Sequence, residues 1–196
     1  MAPTRWQSEN TEAQSQSYVE RFAQLESRGV DLHGEARMVD ALLTPGSAVL
    51  DAGCGTARLG AELARRGHQV TAVDLDPVFV EAARQHTSIS VHRADLTEFD
   101  LGTSFDAIVA AGNVMVFMEP GTERSALTRI VAHLRPGGLF VAGFATDRDY
   151  TVHRFDDDLA AVGLGVEHRF ATWDLRPWHD GADWAVTVAR APQLLA

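Results

Sequence analysis

The stretch AVLDAGCGTARLG, residues 48–60, decides the fold of this chain. Its apolar start predicts a buried β-strand that ends at Asp51, followed by a tight turn through Gly53 and Gly55 and then by a helix. Glycine has no Cβ atom, so a ligand can come close to the backbone of this turn. The free N–H groups and positive dipole end of the following helix would face that ligand. The stretch therefore predicts a cofactor-binding turn.

Strand-like and helix-like segments alternate after this turn. Asp76 and Pro77 are suited to the N-cap and first position of one helix. An amphipathic helix is indicated by Leu127, Ile130, Val131 and Leu134, with Pro136-Gly137-Gly138 ending it. Alternation of this kind predicts a parallel sheet covered on both faces, with ligands bound beyond the carboxyl ends of the strands. The later predicted strands are QVTAVD (69–74), SISVHRAD (88–95), FDAIVAAG (105–112) and LFVAGFA (139–145).

The two ends of the chain differ from this pattern. Alternating runs at 166–175 and 183–190 are joined by a loop without a helix, which predicts a closing antiparallel hairpin. Residues 1–14 are polar, and we expect them to be loose. Tyr18, Phe22 and Leu25 then share one face of a predicted helix.

Composition limits the possible functions. The chain has 196 residues, of which 45% are apolar, and this suits one compact domain. Its formal net charge of −10 argues against a nucleic-acid partner and favours a small molecule. We see no membrane-spanning segment and no export signal, and Cys54 is the only cysteine, so we expect a cytoplasmic protein. The histidine spacings do not match a metal site.

The residues around the turn also restrict the cofactor. A nicotinamide-binding turn would normally have a third glycine where Arg58 stands, and the Asp51 carboxylate would repel a pyrophosphate. Asp51 could instead attract a cationic group. Asp74 ends the second strand about 20 residues beyond the glycines, where a carboxylate can accept hydrogen bonds from ribose hydroxyls. A cofactor with an amino group, a sulfonium and a ribose fits this set best.

The motifs DAGCGTARLG, VTAVDLDP, HRADL and LRPGGLFVAGF occur in this order, and the chain resembles the class I S-adenosylmethionine-dependent methyltransferase family over roughly residues 33–190. The resemblance implies a Rossmann-like α/β fold with a seven-stranded mixed sheet, order 3-2-1-4-5-7-6 and strand 7 antiparallel. It implies a methyltransferase domain at 33–196, preceded at 1–32 by a polar tail and a helix that could serve as a lid. The implied function is methyl transfer from S-adenosylmethionine. The acidic balance and small size of the chain favour a small-molecule acceptor, with a protein acceptor as the alternative.

The resemblance also implies roles for individual residues. Asp74 would hold the ribose and Leu75 would pack on the adenine. Asp95 would accept from the adenine amino group, with a backbone contact from Leu96. The turn would lie against the methionine part, and the segment after the fourth strand would line the approach to the methyl group. The full predicted cofactor set is Asp51, Gly53, Cys54, Gly55, Asp74, Leu75, Asp95, Leu96, Gly112 and Asn113.

Some points stay open in the sequence. Many family members have a third glycine where this chain has Ala57, and we expect a slightly altered turn. Cys54 is expected to be an inert turn residue, and Arg37 or Arg58 could pair with the methionine carboxylate. No residue is identified as a catalytic base, although His153, His168 and His179 are possible neighbours of the substrate. The alternatives are a non-catalytic domain that binds S-adenosylmethionine or S-adenosylhomocysteine and, less favoured, an NAD-dependent oxidoreductase; the acceptor and the oligomeric state are not readable.

Overall fold

The computed structural model describes residues 4–193, and its centre is one mixed β-sheet. The seven strands lie in the order β3-β2-β1-β4-β5-β7-β6, which confirms the predicted topology. Strands β1 to β5 run parallel to one another, whereas β7 is antiparallel to both β5 and β6. The strands are β1 (Ala48–Ala52), β2 (Gln69–Asp74), β3 (Ser90–Arg93), β4 (Phe105–Ala110), β5 (Leu134–Ala145), β6 (Gly165–Phe170) and β7 (Trp184–Arg190).

Helices cover both faces of this sheet and also precede it. They are α1 (Arg5–Glu9), α2 (Glu12–Ser27), α3 (Gly34–Leu42), α4 (Arg58–Arg65), α5 (Pro77–Ala83), α6 (Glu123–Ala132) and α7 (Val152–Ala161), with a 3₁₀ turn at Met115–Phe117. Alternate residues of the central strands face opposite layers, as the two-residue period of a strand requires. In β1, Val49 packs with α3 and α4, whereas Leu50 packs in the layer that contains α6 and α7.

Three element boundaries differ from the predictions. Leu134 does not belong to the helical face, because α6 ends at Ala132 and Leu134 already pairs with Phe105 as the first residue of β5. The Pro136-Gly137-Gly138 segment therefore lies inside β5, where a register shift relative to β4 accommodates it. Strand β3 is shorter than predicted, and β6 ends at Phe170 because the chain turns back there, with Leu175 in the left-handed region.

The expectation that the N-terminal segment is loose is wrong for residues 4–14. Thr4 caps α1 and Thr11 caps α2, and each threonine forms a reciprocal capping box with a glutamine three residues later, Gln7 and Gln14 respectively. Such boxes satisfy backbone donors that would otherwise be free at a helix start. Tyr18, Phe22 and Leu25, which were predicted to share a helix face, lie on α2. This helix contacts α5, so the N-terminal segment packs against the rest of the protein.

Candidate cofactor-binding site

A cavity of about 590 Å³ opens at the carboxyl ends of β1, β2 and β4. This volume is typical of a site for a small molecule. All ten residues of the predicted cofactor set line the cavity, so the structure brings them together. They come from four separate loops of the chain, and the parallel arrangement of the strands is what places these loops side by side.

The glycine turn forms one wall of the cavity and is tightly packed. Gly53 and Gly55 have φ values of +70° and +54°, in the region that favours glycine. A Cβ atom on Gly53 would lie 2.7 Å from both methyl carbons of Val114, so this side chain packs directly on the turn. Ala57, which replaces the family's third glycine, also adopts a left-handed conformation with φ of 56°. The turn therefore contains an alanine in the left-handed region, which is uncommon for a residue other than glycine, and the expected alteration of its shape stays a prediction.

Asp51 lies behind the turn and is almost fully buried. Its side chain is 2% exposed, and Oδ2 accepts a hydrogen bond of 2.9 Å from the Gly60 N–H in α4. Burial raises the pKa of Asp51 to about 7, against the opposing effects of the Gly60 hydrogen bond and the Arg58 charge. A cationic group in the cavity would favour the ionised form of this carboxylate.

Asp74 ends β2 and lines the cavity beside the turn. Its two carboxylate oxygens accept hydrogen bonds from the N–H groups of Gly55, at 2.8 Å, and Asp76, at 2.9 Å. Burial raises the pKa of Asp74 to about 6, although both hydrogen bonds act in the opposite direction. Each carboxylate oxygen can accept more than one hydrogen bond, so the group can still receive donors from a ligand. Asp76 itself caps α5 through a 2.8 Å bond from the Val78 N–H, as predicted.

The side of the cavity next to β3 contains Leu75, Asp95 and Leu96. One oxygen of Asp95, Oδ1, accepts from both the N–H and the hydroxyl of Thr97, at 2.8 and 2.7 Å. These bonds fix the turn after β3 and orient the carboxylate. Leu96 is 7% exposed and packs in the main core, while Leu75 lies in the loop between β2 and α5.

The opposite side of the cavity is built by the segment that follows β4. Gly112 and Asn113 both have positive φ values, of 74° and 73°. Asn113 is tied to β5, because its N–H donates to Gly143 O at 3.1 Å and its side-chain oxygen accepts from the Ala145 N–H at 2.8 Å. Asparagine tolerates the left-handed region better than most residues. The segment then continues into the 3₁₀ turn, from which Phe117 reaches the cavity, followed by Met118.

The N-terminal helices supply a wall that the prediction from strand ends did not contain. Trp6 of α1 and Tyr18 of α2 line the cavity and lie edge to face with ring centroids 6.1 Å apart. A Cβ atom on Gly55 would lie 3.9 Å from Tyr18 Cε1, so this ring covers the glycine turn. Arg21 and Phe22 line the cavity from the same helix. The capping boxes were the signal in the sequence that could have indicated two ordered helices here.

Of the arginines and histidines that the sequence suggested as site residues, only Arg58 lines the cavity. Arg58 lines the cavity, but its guanidinium is paired with Glu35 through bonds of 2.7 and 3.1 Å. Arg37 pairs with Asp31 on the surface and is not a lining residue. His153, His168 and His179 are exposed and lie outside this cavity. Within residues 4–193, we find no group of three or more histidine, cysteine or acidic side chains that could hold a metal ion.

Cys54 lies in the turn in an environment that disfavours a thiolate. Burial raises the pKa of the Cys54 thiol well above its usual value, and the neighbouring charges of Asp51 and Asp74 add to this effect. Because the thiolate is the reactive form of cysteine, this setting makes Cys54 a poor nucleophile.

Comparison with known proteins agrees with this geometry. A family model described as a methyltransferase domain matches residues 49–138. The chain is 36% identical over 184 residues to a ubiquinone biosynthesis O-methyltransferase of Xanthomonas axonopodis pv. citri. The alignment covers 81% of this chain and 72% of that protein. It is also similar to the crystal structure of a TehB-like S-adenosylmethionine-dependent methyltransferase from Corynebacterium glutamicum, with a TM-score of 0.88 and 36% identity over 93% of this chain and 100% of that one.

A more distant neighbour shows the fold alone. The S-adenosylmethionine-bound amino pentose methyltransferase CalS10 of Micromonospora echinaspora has a TM-score of 0.68 and 21% identity, over 86% of this chain and 95% of that one. Together these findings show that the chain belongs to the class I S-adenosylmethionine-dependent methyltransferase family. It is an enzyme that uses S-adenosylmethionine to methylate a small-molecule acceptor, and neither a purely binding function nor a nicotinamide-dependent one is favoured. In the part of the chain that the structure describes, no helix has the length and apolar character needed to cross a membrane.

Proposed function

We propose that this cavity binds S-adenosylmethionine with its nucleoside over the ends of β2 and β3 and its methionine part against the glycine turn, and that a compact acceptor enters beside the segment after β4. The observation that carries this proposal is the convergence of the predicted residues on one cavity around the Asp74 carboxylate. The groups present match the chemistry of such a cofactor. Acidic side chains can accept from ribose hydroxyls and an adenine amino group, and the turn needs no phosphate-binding cation.

The nucleoside half of this assignment rests on Asp74 and Asp95. Both side chains line the cavity, and both are held in place by hydrogen bonds from neighbouring groups of the protein. Asp74 would accept from the ribose hydroxyls and Asp95 from the adenine amino group. Leu75 would supply apolar contact for the purine ring.

The methionine half rests on the turn and the charges around it. Gly53 and Gly55 both line the cavity, with Val114 packed on Gly53 and the Tyr18 ring next to Gly55. The Asp51 carboxyl group lies behind the turn, and the cationic end of the cofactor would favour its ionised form. Of the two arginines that the sequence suggests as partners for the carboxylate, Arg58 lines the cavity, although it would have to share its guanidinium with Glu35.

The acceptor half is formed by apolar and aromatic side chains. Val114, Phe117 and Met118 line the cavity after β4, and Trp184 lines it from the start of β7, next to the end of β5. These side chains favour an acceptor with a planar or apolar body.

In this arrangement, the protein contributes mainly alignment and exclusion of water. S-adenosylmethionine supplies a methyl group that is already activated by its sulfonium. Correct orientation of two reactants can lower a barrier by roughly 7–11 kcal/mol. The described residues on the acceptor side of the cavity, Val114, Phe117, Met118 and Trp184, carry no group that acts as a base near neutral pH. We therefore propose an acceptor whose reacting atom needs no base, because it carries no proton at that pH or has already lost it. An ionisable hydroxyl would meet this condition, and it is compatible with the O-methyltransferase names of the relatives.

The N-terminal helices are placed where they could serve as a lid. We propose that α1 and α2, within residues 1–32, close over the bound cofactor, because their side chains Trp6, Tyr18 and Phe22 line the cavity. A cytoplasmic location and the absence of a nucleic-acid partner stay predictions from the composition of the chain.

The proposed function is tested by release of S-adenosylhomocysteine from S-adenosylmethionine in the presence of a panel of compact phenols, thiols and amines. We expect turnover with at least one class of planar acceptor, and none when the acceptor is omitted. Isothermal titration calorimetry with S-adenosylhomocysteine and NAD is the companion measurement. Tight NAD binding without a response to S-adenosylhomocysteine would overturn the assignment of the site.

A further inference from the structure

The Asp76 carboxylate joins the floor of the cavity to the N-terminal helices. One of its oxygens, Oδ1, caps α5, while the other, Oδ2, accepts hydrogen bonds from the Trp6 Nε1–H at 3.0 Å and from the Ser15 hydroxyl at 2.6 Å. Ser15 is 1% exposed and Asp76 is 9% exposed, so this contact is shielded from water. The partners lie 70 and 61 residues away from Asp76 along the chain.

The same carboxylate lies next to the proposed ribose site. The Asp76 N–H donates to Asp74 Oδ1, so a continuous path of hydrogen bonds runs from Asp74 through Asp76 to Trp6 and Ser15. Hydrogen bonds to an ionised group are stronger than neutral ones, and those shielded from water are the hardest to replace. The two lid helices are therefore fixed at a point two residues from the carboxylate that would hold the cofactor.

Aromatic packing adds to this attachment. The Trp6 ring lies 5.2 Å from the Phe117 ring and 5.3 Å from the Phe79 ring, measured between centroids. Phe79 belongs to α5 on the nucleoside side, and Phe117 follows β4 on the acceptor side. Trp6 thus bridges the two sides of the cavity and is also held by its hydrogen bond to Asp76.

We propose that Asp76 is a positioning residue that latches the N-terminal helices over the cofactor through Trp6 and Ser15, so that breaking this latch controls cofactor exchange. This inference rests on the proposed function, because it takes the cavity to be the S-adenosylmethionine site. The latch does not contact the reacting atoms. Its effect is on how fast the cofactor and its product enter and leave.

The test removes both donors of the latch and leaves the α5 cap intact. In the double variant Trp6→Phe/Ser15→Ala, an aromatic ring stays at position 6, but the indole N–H and the Ser15 hydroxyl are removed, so Asp76 loses both bonds from the lid. Ser17→Ala is the matched control, because Ser17 is an exposed serine of the same helix whose hydroxyl donates only to Ala13 O. Binding rates of S-adenosylhomocysteine are measured by surface plasmon resonance on the full chain.

We expect the dissociation rate to rise by roughly tenfold or more in the double variant and to stay unchanged in Ser17→Ala, since two hydrogen bonds to a charged group are lost. Hydrogen exchange of the α2 amides in the complex should accelerate in parallel. A lower thermal stability with an unchanged dissociation rate would show a merely structural contact and would overturn the inference alone. A wild-type chain that does not bind S-adenosylhomocysteine would instead overturn the proposed function and the latch with it.

Discussion

Replacing Gly53 by alanine should be much more damaging than a simple loss of backbone freedom, because two unfavourable effects coincide there. The φ of +70° places an alanine in the left-handed region, which costs about 1–2 kcal/mol. The new Cβ would also lie 2.7 Å from both methyl carbons of Val114, and overpacking of this kind typically costs about 1–3 kcal/mol. We therefore expect Gly53→Ala to lower the free energy of unfolding by about 2–5 kcal/mol.

Gly46→Ala separates the two effects. Gly46 has a φ of +81°, and a Cβ atom there meets no atom within 4 Å, so only the backbone effect of about 1–2 kcal/mol should appear. Removing the methyl carbons with Val114→Ala should relieve the clash in the Gly53→Ala background. A double-mutant cycle from urea unfolding should then give a coupling of about 1–3 kcal/mol between the two positions. Equal effects of Gly53→Ala and Gly46→Ala, or a coupling near zero, would refute the packing of Val114 on the turn.

Two further predictions concern ionisation near the turn. The folded-state pKa of Asp51 is raised to about 7, from an ordinary value of 3.8. The folded state therefore favours the protonated carboxyl group. This contribution to folding stability is complete below pH 3.8 and is lost as the pH rises through about 7. Asp51→Asn keeps an acceptor for the Gly60 N–H but does not titrate. The free energy of unfolding of the variant minus that of the wild type, measured by urea unfolding of the ligand-free proteins, should rise by about 2–3 kcal/mol between pH 5 and pH 8. A difference that stays constant over this range would contradict the raised pKa. The second prediction concerns Cys54, because burial and the neighbouring carboxylates raise the pKa of its thiol. At pH 7.5, iodoacetamide should therefore alkylate the folded chain much more slowly than the urea-unfolded chain. Rapid modification of the folded protein would contradict this environment.

The strand-end residues of the site could be predicted because their signals are local. A buried strand followed by glycines, or by an aspartate and a helix cap, identifies the carboxyl end of a parallel strand from a few consecutive residues. Parallel pairing then brings Asp51, Asp74 and Asp95 to one edge of the sheet without further information. The order of the strands followed from the family resemblance and from the antiparallel hairpin pattern.

The lid contacts could not be predicted in this way. Residues 4–14 are polar, and their order depends on the capping glutamines and on the distant Asp76 carboxylate. Trp6 and Asp76 are 70 residues apart, and no periodic pattern relates them. The start of β5 was missed for a related reason, because Leu134 fits the apolar face of α6 equally well until its pairing with Phe105 is known.

The central claim is that the Asp74 carboxylate holds the ribose of S-adenosylmethionine, and isothermal titration calorimetry of Asp74→Asn with S-adenosylhomocysteine tests it most directly. Asn keeps the size of the side chain but loses the charge, and Asp157→Asn on the exposed surface of α7 is the matched control. We predict that Asp74→Asn weakens binding by about 1–3 kcal/mol, which is roughly 5- to 150-fold in Kd, while Asp157→Asn binds as wild type does. An affinity of Asp74→Asn equal to that of the wild-type chain would contradict the account.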